Sequence, residues 1–478
     1  MKKILFFSIV LLVLSACATQ TLSTSSQTMK KKKVTTAELL TIRLASIQKK
    51  GYMAGHQDDP FYGINWSYEP NRSDILETTG DYPAVMGFDL GGIEKADSKN
   101  LDSVPFNLIH DEAIRHAERG GIVTFSWHPR NPLTGGTAWD VSSDQVVKSV
   151  LPEGKEYQKF QLWMQRVGDF LCTLKGSKGN PIPIIFRPWH ENNGSWFWWG
   201  QKLCTNEEYK ALWNMLQDYL RGRGLDNLLW SYSPNLDGNW SEERFLERYP
   251  GNDRVTLLGE DAYQWGKETD FITQISADLD FISKFAEKNN RLFALTECGL
   301  KNMPDATWWT RVLKPVMDRY NICYFLLWRN DKNEYFGPSP DLPCAADFKA
   351  LYSAKNVLFL KDINNITNEE IKEFAKFSPA QKVAWIKKNF DDSGIFSKLQ
   401  VSLYNPASRG YRVGSQTIEY IEDNANPNIA YQEFYNAFFD NNPLVAMTAY
   451  DLIKYAATVE GFKMSQRAIT KIIDNKRI

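Results

Sequence analysis

The chain has 478 residues, 43% of them hydrophobic, which is enough for one full-sized barrel-type domain plus something smaller. Its formal net charge is −1, with Lys and Arg scattered apart from a lysine run at 30–33. Nothing therefore points to a polyanionic partner, and no nucleic-acid ligand is expected.

In chain order, Lys2 and Lys3 precede an apolar stretch at 4–14, and Leu14-Ser15-Ala16-Cys17 follows. This has the form of a bacterial lipoprotein cleavage box, with residues 1–17 as signal peptide and the mature chain beginning at a lipidated Cys17. The apolar stretch is too short to be a spanning helix. An ordinary secretory leader with a chance cysteine is the alternative. Residues 18–36, rich in Ser, Thr and Lys, read as a flexible tether. The protein is thus expected to be exported and lipid-anchored to a bacterial membrane, the outer one in the simplest reading. The side stays open, because Ala18-Thr19-Gln20 carries no acidic run. No later stretch is long and apolar enough to cross a bilayer.

Short apolar or β-rich runs ending in polar or functional residues recur at 52–56, 82–89, 121–128, 182–191, 227–233, 255–263, 292–297 and 322–329. Segments of helical periodicity lie among them, at 156–174, 205–223, 271–288 and 306–320. Eight strands alternating with helices predict an α/β fold, a (β/α)8 TIM barrel over residues 37–362. In that fold the chemistry sits at the C-terminal ends of the strands, where these runs place His, Asp, Glu, Trp and Arg. A doubly wound open sheet fits less well, since no Gly-rich phosphate loop follows the first strand.

Glu191 closes the fourth run and Glu297 the seventh. Strands four and seven face each other across a barrel mouth, so both carboxylates can converge on one bond. A retaining glycosidase needs such a pair ~5–5.5 Å apart, one as nucleophile and one as acid/base. Either glutamate alone could simply pair with an arginine; the two in this register point to chemistry. The aromatic load agrees, because sugar rings present C–H faces that stack on indoles. Trp196-Phe197-Trp198-Trp199 follows the fourth run, and at least one of these indoles is expected as a sugar platform, the others as barrel-rim core. Trp308 and Trp309 read as core.

The five histidines show no H-E-x-x-H and no close pair at ligand spacing, so no metal is expected. His110 and His116 read as the solvated face of a polar helix, while His56, His128 and His190 lie at strand ends. Without Cys17 the cysteines are odd in number and lack CxxC spacing, which argues against structural zinc. Cys298 and Cys323 read as buried free thiols.

Gly55-His56-Gln57, Trp127-His128-Pro129, Arg187-Pro188-Trp189-His190-Glu191-Asn192 with Trp196, Asp261-Ala262-Tyr263, Thr296-Glu297 and Trp328-Arg329 resemble the signature stations of glycoside hydrolase family 26, over about 39–362. The resemblance implies a (β/α)8 barrel that cuts β-1,4-mannan with retention by double displacement, without a cofactor. Carried over by position, Glu191 is the acid/base and Glu297 the nucleophile. Arg187 and His190 line the site beside the acid/base. His128, Trp196, Tyr263, Trp328 and Arg329 surround the sugar at the cleavage point. Asp261 stays open between binding a hydroxyl, orienting the surroundings of Tyr263 and forming a salt bridge.

Physically, Glu191 must hold a proton near neutral pH, raised by apolar burial and by Glu297. Trp189, Trp196 and Trp198 are candidates for that apolar wall, and Arg187 or the Tyr263 hydroxyl for a hydrogen bond to Glu297. The expected partner is a β-mannan polysaccharide or oligosaccharide: mannan, glucomannan or galactomannan. A β-glucanase, a β-1,3-xylanase or an exo-acting mannobiohydrolase is the alternative on the same fold. A non-catalytic glycan-binding lipoprotein is the alternative of another class, and it would have lost a carboxylate. A monomer is expected.

Beyond residue 362 the tryptophans nearly vanish, leaving Trp385, and helical text runs at 368–376, 379–389, 430–440 and 443–457. Residues 363–478 are therefore expected to be a small helical C-terminal extension of unknown role. A carbohydrate-binding module would be β-rich with exposed aromatics, which this stretch is not.

Overall fold

The computed structural model describes residues 35–376. The leader, Cys17 and nearly all of the expected tether lie outside the described residues, as do the helices expected at 379–389, 430–440 and 443–457.

Eight parallel strands form the predicted barrel: β1 (Tyr52–Gln57), β2 (Val85–Asp89), β3 (Ile122–Trp127), β4 (Ile184–Pro188), β5 (Leu228–Tyr232), β6 (Leu257–Tyr263), β7 (Leu292–Gly299) and β8 (Tyr324–Leu327). They pair in chain order, and β1 pairs with both β2 and β8, so the sheet closes on itself. A two-residue β9 (Val357–Leu358) runs beside the start of β1. The strands are apolar runs rather than alternating ones because helices cover their outer faces. The expected helices are present at Tyr157–Thr173, Asn206–Gly222 and Glu268–Lys288. The fourth begins as a π turn, Trp309–Leu313, before α-helix Lys314–Met317. Pro315 has no N–H to close the ordinary i to i−4 bond there. Trp308 and Trp309 are both buried, as expected.

Inside the barrel, Met53, Val85, Ile122, Ile185, Leu229, Leu257, Ala294 and Tyr324, one from each strand, form a single apolar layer. The N-terminal mouth is closed by a helix absent from the sequence reading, Thr36–Gln48, which adds Leu40, Leu44 and Ile47 to that layer. It starts at a capping box: the Thr35 hydroxyl accepts from the Glu38 N–H at 3.1 Å, and the Glu38 carboxylate accepts from the Thr35 N–H at 2.7 Å. Leu360 and Ile363 join the same layer from helix Leu360–Lys376. That helix runs straight through residue 362, and Asn364 Nδ2 donates to the Arg119 carbonyl at 2.9 Å.

One expectation is reversed. His116 is fully buried, not solvated, on helix Phe106–Glu118. Phe106, Ile109, Ala113 and His116 recur at three- and four-residue steps on the inward stripe, and a Cβ on Gly121 would collide with the imidazole. Burial pushes the His116 pKa down to about 3, so the ring is neutral. His110 is half-buried and pairs with Asp111 at 2.8 Å. The five cysteines of the described residues are free thiols, with Cys298 and Cys323 buried as expected.

Candidate active site

The strand-end residues converge on a cleft of about 480 Å³ at the C-terminal mouth of the barrel, a size suited to a small-molecule or sugar unit. β4 ends abruptly there. Trp189 and Glu191 both adopt left-handed backbone, φ 54° and 52°, at a cost of order 1–2 kcal/mol each. The turn persists because side chains and backbone fix it on every side. Tyr209 donates its hydroxyl to the Trp189 carbonyl at 2.9 Å, and Trp199 donates its indole N–H to the His190 carbonyl at 2.8 Å. The Glu191 N–H donates to the Ser233 carbonyl at 2.7 Å. Glu191 is thereby turned toward β7.

Below the cleft, Arg187 Nη1 contacts Asp261 Oδ2 at 2.8 Å and its Nη2 donates to Glu297 Oε1. Tyr263 donates its hydroxyl to Glu297 Oε2 at 2.7 Å. Both candidates named from sequence therefore hold Glu297, one on each oxygen. A register shift at Glu260/Asp261 sets Asp261 directly opposite Glu297 on the neighbouring strand. The other oxygen of Asp261 accepts from Ser233 at 2.9 Å and Thr296 at 2.7 Å. Of the readings left open for Asp261, the salt bridge is the one the structure contains.

One carboxylate oxygen from each of Glu191, Asp261 and Glu297 lies within 4.8 Å of the others. Among the described residues this is the set of carboxylates with metal-ligand spacing, but a guanidinium already serves two of its members. Burial, then the negative charges of Glu297 and Asp261, push the Glu191 pKa well above the ordinary carboxyl range. These effects outweigh Arg187 and the indole N–H of Trp196, which donates to Glu191 Oε2 at 2.6 Å. Burial also pushes Asp261 up to about 7, against the pull of Arg187.

A second polar chain crosses the floor. Asp89 Oδ2 lies 2.7 Å from His128 Nδ1, and His128 Nε2 lies 2.9 Å from His190 Nε2. Burial alone would push His128 down, but Asp89 raises it above its usual value. His190 is driven well below by burial, with Arg187 and His128 adding to it. The shared proton is therefore carried on His128, whose Nε2–H donates to a neutral His190.

His128, His190, Glu191, Trp196, Tyr263, Glu297 and Trp328 all face the cleft, while Arg187 and Asp261 support it from beneath. Arg329 does not join them. Its Nε sits 3.0 Å from Asp102 Oδ1, and it lines an adjoining cleft of about 640 Å³ with Tyr62, Trp66 and Tyr68. Trp189 and Trp198, candidates for the apolar wall, are instead wholly buried in the core behind it. Trp196, the third candidate, does contact Glu191, and Trp139 and Trp265, which sequence reasoning missed, also line the cleft, 47% and 67% exposed. Trp265 follows β6 by two residues and was findable as a strand-end aromatic. Trp139 sits far along the loop after β3, where no local signal marks it. Asp89, closing β2, was likewise visible as a strand-end acid.

The family model for glycosyl hydrolase family 26 matches residues 29–339. A mannan endo-1,4-beta-mannosidase of Bifidobacterium adolescentis is 32% identical over 330 residues, 64% of this chain, and the chain spans only 33% of that protein. An endoglucanase H of Acetivibrio thermocellus is 28% identical over 244 residues, 48% of this chain and 24% of that protein. Among solved structures, a GH26 beta-mannanase from Bacteroides ovatus superposes with a TM-score of 0.66 at 42% identity, over 68% of this chain and 96% of that one. With the family match covering more than half of the chain and a closed barrel that gathers the carboxylates at its mouth, the chain belongs to glycosyl hydrolase family 26.

Proposed function

We propose that the protein is a retaining endo-β-1,4-mannanase acting on mannan, glucomannan or galactomannan, with Glu297 as nucleophile and Glu191 as acid/base. It would be exported and held at a bacterial membrane by a lipid on Cys17. The observation that carries the reading is the spacing of the carboxylates: oxygens of Glu191 and Glu297 within 4.8 Å suit direct attack at ~5–5.5 Å, not the ~6.5–9.5 Å that leaves room for water in inverting enzymes. The names of the Bifidobacterium and Bacteroides relatives support the substrate.

In the first step a Glu297 oxygen bonds to the anomeric carbon as the glycosidic C–O bond breaks. Glu191 gives its proton to the departing oxygen. Arg187 and Tyr263 hold the two Glu297 oxygens in place, so the attacking group is positioned before substrate arrives. Once Glu297 is esterified its negative charge is gone, and with it part of what kept Glu191 protonated. Glu191 is then a carboxylate able to take a proton from water, which attacks the anomeric carbon and releases Glu297. Trp139, Trp196, Trp265 and Trp328 suit the C–H faces of the sugar, and the adjoining cleft with Asp102 and Arg329 lengthens the trough for a polymer. The likeness to an endoglucanase favours a second reading, action on a β-glucan. The receptor reading is weakened because both carboxylates are present.

Incubated with linear mannan, glucomannan, mixed-linkage β-glucan and β-1,3-xylan, the full-length protein should release a ladder of oligosaccharides from the mannans. Glu191→Ala should lose about 10²–10⁴-fold in kcat on mannan, and Glu297→Ala at least as much. A ladder from β-glucan alone would replace the substrate, and undiminished activity in either variant would remove its assigned role. The pH profile of kcat/KM should fall on the basic side as Glu191 loses its proton, at a pH well above the ordinary carboxyl range. Asp261→Asn removes a negative neighbour and should move that limb toward lower pH; a limb that stays put contradicts the electrostatic origin. Metabolic labelling with palmitate in a bacterial host should mark the wild-type protein and not Cys17→Ala, and label on neither would sink the anchor.

A further inference from the structure

We infer that the recess behind the turn formed by Glu191, Asn192 and Asn193 is a binding site for one small monovalent anion of the halide class, held by Arg248, Asn192 and Trp240. Arg248 follows helix Glu242–Leu246 and is only 3% exposed. No carboxylate among the described residues forms an ion pair with it. Its Nη2 donates to the Trp199 carbonyl at 3.0 Å and lies 2.9 Å from Cys204 Sγ, and its Cζ lies 4.4 Å over the ring of Tyr209. Its Nε and Nη1 have no partner.

Asn192 is 1% exposed and lines the same recess, and its amide Nδ2 is also without a partner. So is the indole N–H of Trp240, a third lining residue. Three side chains with unsatisfied donors thus line one small recess with room for about one solvent-sized occupant.

The charge balance favours an anion there. A buried guanidinium without a counter-charge is costly, and the face of Tyr209 offsets only part of that cost. Cys204, Tyr209 and Tyr232 all feel the charge of Arg248, and burial pushes each upward, so all three are neutral at pH 7. Of the charged residues lining the recess, Arg244 is taken by Asp237, and Glu247 is exposed to solvent and lies 3.5 Å from the Asn206 amide. The Tyr232 hydroxyl donates to Asn192 Oδ1 at 3.2 Å. A water would have to find acceptors for its own protons and would leave the guanidinium charge uncompensated; a halide accepts from all three donors and neutralises the charge. Bound there, it would tie the Arg248 segment to the residue next to Glu191.

The test uses the full-length protein dialysed into sodium gluconate, with the thermal midpoint followed against NaCl and NaBr at constant ionic strength. A saturable rise with both halides is expected. Trp240→Phe should raise the half-saturating halide concentration about tenfold, the worth of one hydrogen bond to a charged group. Arg248→Met should abolish the response; if that variant fails to fold, Trp240→Phe decides. A midpoint insensitive to halide at fixed ionic strength overturns the site in favour of water. A halide response equal in wild type and Trp240→Phe, or bromide anomalous density elsewhere and none beside Arg248, overturns it as well.

Discussion

Three carboxylates with oxygens within 4.8 Å of one another can share the floor of one cleft only if positive charge is built in among them. Arg187 is that charge. It is 3% exposed on the inward face of β4 and spans Asp261 and Glu297 with separate nitrogens. Asp261 draws one arm of the guanidinium and so sets the direction of the other, which fixes Glu297. Glu191 lies four residues beyond Arg187, past the turn, and takes its hydrogen bond from Trp196. One arrangement of charges therefore gives two glutamates opposite surroundings. Glu297 is met by two donors; Glu191 is met by burial and two negative neighbours.

The rest of the barrel mouth is organised to keep that arrangement from relaxing. The left-handed residues at 189 and 191 would straighten if the backbone of the turn were free, yet Tyr209 and Trp199 donate to the Trp189 and His190 carbonyls and the Ser233 carbonyl accepts from the Glu191 N–H. Behind it, Trp189, Trp198 and Trp199 pack edge to face at ring separations of 5.2–5.5 Å. On the other flank, Asp89, His128 and His190 form a line of hydrogen bonds in which Asp89 favours the proton on His128. A stiff aromatic shell thus carries a small number of charges whose order matters.

Much of this was legible in the sequence. Parallel strands covered on both faces read as apolar runs, and each ends where a functional residue begins, so all eight were locatable along with Glu191, Glu297 and most of the cleft. What escaped did so for physical reasons. Thr35 and Glu38 write out a capping box, but the polar stretch before them blends into a tether, and Leu40, Leu44 and Ile47 gain meaning only against the barrel floor. His116 looks solvated from its residue type, while the spacing of Phe106, Ile109 and Ala113 puts it inside. Residue 362 marks a change in composition, not in packing, since Ile363 is buried in the barrel's inner layer. Arg329 sits at a strand end like its neighbours, but Asp102, from a distant loop, draws it into the adjoining cleft. Contacts between loops far apart in the chain leave no local trace.

Attack by Glu297 requires retention of configuration at the anomeric carbon. Proton NMR of the products in the first minutes of mannan-oligosaccharide hydrolysis, before mutarotation, reports the anomer that leaves the enzyme. The charge arrangement around Arg187 predicts that the β-anomer forms first and the α-anomer accumulates only as solution equilibrium is reached. Initial release of the α-anomer would mean single displacement by water, and would contradict Glu297 as the attacking group.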